Sequence, residues 1–224
     1  MAVASNSFMK KALILWGGWD GHSPLQSVEK FTPFLAAAGF DVRMENSLDV
    51  LLETSYLRSV SLVLPCWTMG ELLPEQEKNL LEAVRAGTGI AGWHGGMCDA
   101  FRNCTNYQWM TGGQFVSHPG GIIRYQVRLT DHAHPITRGL ADFEVETEQY
   151  YMHTDPGNQV LAETTFSGAH ENAPWIAGTD MPVAWTRSWG AGRVFYMAIG
   201  HQPSEFDIPE VGEIIRRGLL WAAR

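Results

Sequence analysis

Three short apolar runs, each closed by glycine or proline, constrain the fold of this chain most. Lys11–Trp16 (KALILW) ends at Gly17-Gly18, Val60–Leu64 (VSLVL) ends at Pro65, and Gly89–Trp93 (GIAGW) runs into His94-Gly95-Gly96. Runs of this length and make-up read as strands buried inside a sheet. Helical spacing lies between them. Ser23-Pro24 predicts a helix start, with Ser as N-cap and Pro at the first position. Leu25, Val28, Phe31 and Leu35 follow on one face, Pro33 is a kink point and Gly39 a stop. Phe40–Glu45 alternates as another strand, and Ser47 caps a short helix through Tyr56. Pro74–Ala86 is amphipathic, carries Glu in its first turn and stops at Gly87. Strand and helix in this rhythm predict a parallel sheet with right-handed crossovers.

The second half is less regular. Thr105–Met110 reads as a short helix, and Ile122–Leu129 and Phe143–Glu148 read as strands. Met181–Arg187 and Arg193–Ile199 flank a hairpin loop at Ser188–Gly192, and Ile208–Trp221 closes the chain as a helix. No repeat or linker interrupts the pattern. Residues 11–224 are therefore read as one domain, with 1–10 as a disordered N-terminal segment.

Charge and cysteine usage exclude several classes. The formal net charge is -8 with no basic stripe, which argues against nucleic acid as a partner. The first apolar run is too short to cross a membrane and no signal-peptide pattern precedes it, so the expectation is a cytoplasmic protein with no membrane partner. Three cysteines, Cys66, Cys98 and Cys104, give no disulfide framework.

In open parallel sheets, ligands bind beyond the carboxyl ends of the strands. Gly17–His22 (GGWDGH) follows the first strand, Pro65-Cys66-Trp67-Thr68 the third, His94-Gly95-Gly96 the fourth, and Gly200-His201 the hairpin's return strand. Gly92-Trp93-His94-Gly95-Gly96 has the small-x-nucleophile-x-small pattern of a strand-to-helix elbow, with His at the centre. A glycine-rich turn with an incidental His fits the same residues.

The chain resembles the ThuA-like (trehalose-utilisation) family over nearly its whole length. The likeness is carried by GWHGG at Gly92–Gly96, GGQFVSHP at Gly112–Pro119, HPITRGL at His134–Leu140, EQYY at Glu148–Tyr151, MPVAW at Met181–Trp185 and GRVFYMAIGH at Gly192–His201, in that order. It implies an α/β fold of the three-layer flavodoxin-like, class I glutamine amidotransferase-like kind, with a mostly parallel central sheet and helices on both faces. Such amidotransferases carry Cys at the elbow and His after a late strand, with Pro and Glu shortly beyond. Here His94 stands at the elbow, and His201 keeps the later place, followed by Gln202-Pro203-Ser204-Glu205. A neutral imidazole replaces a thiolate nucleophile poorly, so the likeness supports the fold and argues against glutaminase chemistry. The family tends to show Asp-Glu where this chain has Thr147-Glu148.

The resemblance implies a role in carbohydrate catabolism, with a keto-disaccharide or related small-molecule carbohydrate as partner. His94, His201 and Glu148 are the candidate acid–base residues. No cofactor is required by the sequence. His94 and His201 could instead hold a divalent metal such as Zn with a third ligand, His118 or Glu148, three protein ligands leaving one position open. His22, Trp19, Trp67, Trp93, His118 and Tyr150 are the candidate substrate-binding residues, the Trp faces being suited to sugar C–H surfaces. Each has a plainer reading as core, turn or solvated strand end. The alternative function is a non-catalytic sugar-binding or regulatory module on an amidotransferase-like scaffold. A cysteine hydrolase using Cys98 ranks last, and a homo-oligomer is compatible with the sequence.

Overall fold

The structure is a computed structural model and describes residues 9–224. The expected N-terminal segment falls outside these residues over 1–8, and Lys10 already opens the first strand. The three apolar runs become β1 (Lys10–Gly18), β3 (Leu62–Thr68) and β4 (Gly89–Trp93), with β2 (Phe40–Glu45) beside β1. All four are parallel. β3 runs further than expected, so Pro65, Cys66 and Trp67 lie in the strand. Pairing of β3 to β4 ends at Val63, before Pro65 is reached.

The nine-stranded sheet continues through β11 (Gly192–Met197), β10 (Asp180–Trp189), β9 (Gln159–Thr165), β6 (Ile122–Leu129) and β7 (Phe143–Glu148), giving the order β2-β1-β3-β4-β11-β10-β9-β6-β7. β11 is parallel to β4, and every pairing beyond it is antiparallel. The sheet is therefore mixed rather than mostly parallel. The reason is local. Only Gly190-Ala191 separate the Trp189–Gly192 pair, and a two-residue turn can join only antiparallel strands. Gly190 has φ +59°, which such turns require.

Two further strands, β5 (Gly113–Ser117) and β8 (Tyr151–Thr154), form a separate ribbon. Neither these nor β9 was expected from the sequence. The reading of residues 23–39 as one kinked helix becomes two, α1 (Pro24–Glu29) and α2 (Thr32–Ala37), since Pro33 has no N–H to continue the first helix and sits in the opening turn of the second, where none is needed. Ser23 adopts φ +45° and its side chain does not cap α1. The remaining helices are α3 (Thr54–Ser59), α4 (Pro74–Arg85), α5 (His94–Cys98), α6 (Thr105–Thr111) and α7 (Pro209–Ala222). α7 packs on β4 and β11, and α1 packs on β1. No helix of the described residues is long and apolar enough to cross a membrane.

The core fills the space between these layers. Trp185 is fully buried on β10, its ring lies 4.4 Å from that of Tyr196, and its Nε1–H donates to the Thr111 carbonyl at 2.9 Å. Truncation removes a large volume and leaves that carbonyl unpaired. Trp185→Ala should lower unfolding free energy by about 3–5 kcal/mol in urea titrations, whereas the exposed Trp175→Ala should stay within about 0.5 kcal/mol.

Candidate functional site

The elbow between β4 and α5 organises the site. His94 has φ +48°, a conformation that non-glycine residues seldom adopt. The following glycines make room for it. A Cβ at Gly95 would lie 2.6 Å from Cε1 of His22, and one at Gly96 would lie 2.9 Å from Cα of Cys66. The GWHGG pattern thus follows from packing three segments against one turn.

His94 is 1% exposed, and its ring is held from two sides. Nδ1 lies 2.8 Å from the Ala198 carbonyl, which can only accept, so Nδ1 carries a proton and donates it. Nε2 points at the Tyr150 hydroxyl, 2.7 Å away, and at Glu148 Oε2, 3.1 Å away. The Tyr150 ring stacks on the imidazole at 4.1 Å. The Tyr150 hydroxyl, which can donate or accept, and the Glu148 carboxylate, which can only accept, thus meet at one ring nitrogen.

Two more imidazoles converge there. His22, in the turn after β1, has Nδ1 2.8 Å from the Thr68 hydroxyl, and its ring lies 4.7 Å from that of His94 and 5.2 Å from that of His201. His201 Nδ1 lies 3.5 Å from Glu148 Oε2 and is buried without a hydrogen-bond partner. Ligand-capable atoms of His22, His94, Glu148 and His201 all lie within 4.8 Å of one another. His118 stands outside this group, with Nε2 3.7 Å from Glu148 Oε1. Of the residues the sequence offered for a metal, the structure brings His94, His201 and Glu148 together, adds His22, and leaves His118 outside the group.

The remaining candidates divide. Trp19, His118 and Tyr150 line a cavity of about 190 Å³ together with His22 and Glu148. Trp93 does not: it is 2% exposed and packed against Phe31 and Phe206, so its face has no room for a sugar. Trp67 packs over the backbone at Gly17 and Gly70 and does not line this cavity. Sequence reading missed Thr68, Phe115, Asp99 and Arg102, which line it too. Arg102 is held by two 2.7 Å bonds to the buried Asp99 carboxylate, a fork pairing that aims the guanidinium. No short-range pattern marked it, because its role comes from the fold of the loop after α5.

Glu205 supports the cluster from behind. Its Oε2 accepts from the backbone N–H groups of Gly200 and His201, both at 3.0 Å, and its Oε1 accepts from the Thr147 hydroxyl at 2.6 Å. One buried carboxylate thus ties the end of β7, which carries Glu148, to the loop that carries His201. It also accounts for Thr147, since an acid there would face Glu205 and repel it.

The electrostatics follow from burial and proximity. Burial, then the neighbouring His94 and His201, lower His22 to about 3. Burial lowers His201 as well, against the pull of Glu148. Burial works against ionisation of Glu148, but the surrounding imidazoles outweigh it and hold the carboxyl below its usual range. Desolvation raises the thiols, Cys66 to about 12, Cys104 to about 11, and Cys98 well above its usual value.

Two outcomes are expected. His22 takes up a proton near pH 6.5 when unfolded and only near 3 when folded, so its contribution is complete above about 6.5 and falls as pH drops toward 3. In chelator-treated protein, urea-derived stability should fall below pH 6.5 by up to about 1.4 kcal/mol per pH unit from this group, and His22→Asn should flatten the slope. Glu205→Ala strands two buried N–H groups and should cost about 2–4 kcal/mol, while Glu205→Gln, whose carbonyl can still accept from both, should cost about half as much or less in the same assay.

The ThuA family model, described as trehalose utilisation, matches residues 11–222. No curated protein matches the sequence. Among solved structures, the chain is similar to a ThuA-like protein from Bacteroides uniformis, with TM-score 0.78 and 18% identity over 99% of this chain and 94% of that one. It is also similar to a ThuA-like protein from Parabacteroides merdae, with TM-score 0.72 and 18% identity over 96% and 89%. A cytoplasmic protein from Salmonella typhimurium follows with TM-score 0.65 and 12% identity over 96% and 100%. At these identities the structures speak for the fold, and the match over residues 11–222 shows that the chain belongs to the ThuA family.

Proposed function

We propose that the chain, as a single domain over residues 11–224, is a sugar-modifying enzyme of carbohydrate catabolism, acting on a keto-disaccharide or related sugar through a divalent metal site and adjacent acid–base groups. One observation carries this reading: three imidazoles and one carboxylate converge within 4.8 Å at the carboxyl ends of the parallel strands. The donor set fits a metal such as Zn. His201 Nδ1 is buried without a partner, and His94 Nε2 stands 3.1 Å from a Glu148 oxygen. His22, His94, Glu148 and His201 would be the donors available to the ion; held by three of them with one position open, it would supply Lewis-acid polarisation of a sugar oxygen.

The other residues supply binding and proton handling. The Ala198 carbonyl fixes the His94 tautomer, so Nε2 always faces the site. His118, 41% exposed and beside Glu148 Oε1, is placed to move a proton between the cavity and solvent. Arg102 keeps donors free for hydroxyl oxygens, and Trp19 offers an apolar face at the rim. The cavity of about 190 Å³ lies below the roughly 300 Å³ at which drug-sized pockets begin, which suits one sugar ring held inside and the second left outside. Glutaminase chemistry is disfavoured on physical grounds. The elbow residue is His94, and all three thiols are buried and raised, so none is a ready thiolate.

Elemental analysis of purified protein tests the reading. About one divalent ion per chain is expected, with His94→Ala and His201→Ala each losing tenfold or more of it. Turnover of keto-disaccharides should disappear in His94→Ala while the circular dichroism spectrum is retained. Unchanged turnover in that variant would remove His94 from the mechanism, and tight sugar binding without turnover in the wild type would favour a binding module.

A further inference from the structure

The outer face of α4 combines apolar and charged side chains. Gln76, Asn79, Leu80, Ala83 and Val84 face the protein. Glu77, Lys78, Leu81, Glu82 and Arg85 occupy the opposite face. Together with Trp109 of α6 and Trp189 at the end of β10, they line an open cavity of about 430 Å³. Trp109 is 60% exposed and meets Trp189 edge to face at 5.0 Å, and Leu73, just before α4, is 58% exposed. A single exposed apolar residue is ordinary, but a cluster of this kind marks a contact surface.

The charges say what covers it. Glu77, Lys78, Glu82 and Arg85 make no ion pair among the described residues, although Lys78 and Glu82 stand one turn apart, and Glu77 has one oxygen on Asn106 Nδ2 at 2.7 Å. We propose that α4 pairs antiparallel with α4 of a second chain about a two-fold axis near Leu81. In that arrangement Lys78 faces Glu82 of the other chain, Glu82 faces its Lys78, and Arg85 reaches its Glu77. Each pair occurs twice, as a symmetric contact demands. Leu81 meets Leu81 at the centre beside the tryptophans, giving an apolar middle and a charged rim. The pattern is complementary to itself, which a surface for a different protein need not be.

Light scattering and sedimentation of the full chain over a concentration series test this. The wild type should run as a dimer. Glu82→Lys sets like charges opposite each other twice and should weaken association about tenfold or more. Trp109→Ala should weaken it as well. The double variant Lys78→Glu/Glu82→Lys restores opposite charges and should associate within about threefold of wild type. Metal content should match wild type throughout, which separates this surface from the histidine cluster. A wild type that stays monomeric up to about 100 µM, as it would if the face served a different protein, overturns the proposal. So does a double variant as weak as Glu82→Lys.

Discussion

The turn from Trp93 to Gly96 is the constraint on which the rest of the site depends. His94 takes a left-handed backbone there, at φ +48°, a conformation that costs of order 1–3 kcal/mol for such a residue. It is held because neighbours on every side over-determine it. The Tyr196 hydroxyl donates to the His94 carbonyl at 3.2 Å, the Ala198 carbonyl takes the Nδ1 proton, and Gly95 and Gly96 leave space for His22 and Cys66. The strain aims one imidazole nitrogen at the meeting point of β1, β4, β7 and β11.

A cluster of three imidazoles and one carboxylate is costly to bury unless its charges are managed. The chain manages them by position. Burial lowers the pKa of His22 and His201, while the same imidazoles favour the anion of Glu148. The outcome is imidazole nitrogens and a carboxylate gathered at a common point, an arrangement that suits a cation on the proposed reading. Glu205 makes the arrangement rigid, because its two oxygens bind the segments that carry His201 and Glu148.

The parallel half of the fold was legible because buried strands are written as continuous apolar runs, and β1, β3 and β4 are such runs. The elbow and the late His201 were legible because glycine spacing and position in the chain both point to strand ends. β5, β8 and β9 were not. β5 and β8 form a ribbon apart from the main sheet, and β9 (QVLAETT) lacks a strict alternation of buried and exposed positions. Trp93 misled for a related reason. It flanks the catalytic-looking His94, but consecutive residues at a strand end point to opposite faces, so its ring enters the core with Phe31 and Phe206.

By itself, then, the sequence determined an α/β chain with strand-end histidines and no thiol at the elbow, because local periodicity and turn chemistry depend only on near neighbours. It did not determine which histidines meet. His22, His94, Glu148 and His201 are separated by dozens of residues, and their convergence within 4.8 Å comes from the order in which β1, β4 and β11 sit in the sheet and from the end of β7 reaching the same point. Distances between such groups are set by sheet register and packing, which no short stretch of sequence encodes. For the same reason Arg102 and Glu205 became visible only in the tertiary structure: their partners lie across loops whose paths the packed core decides.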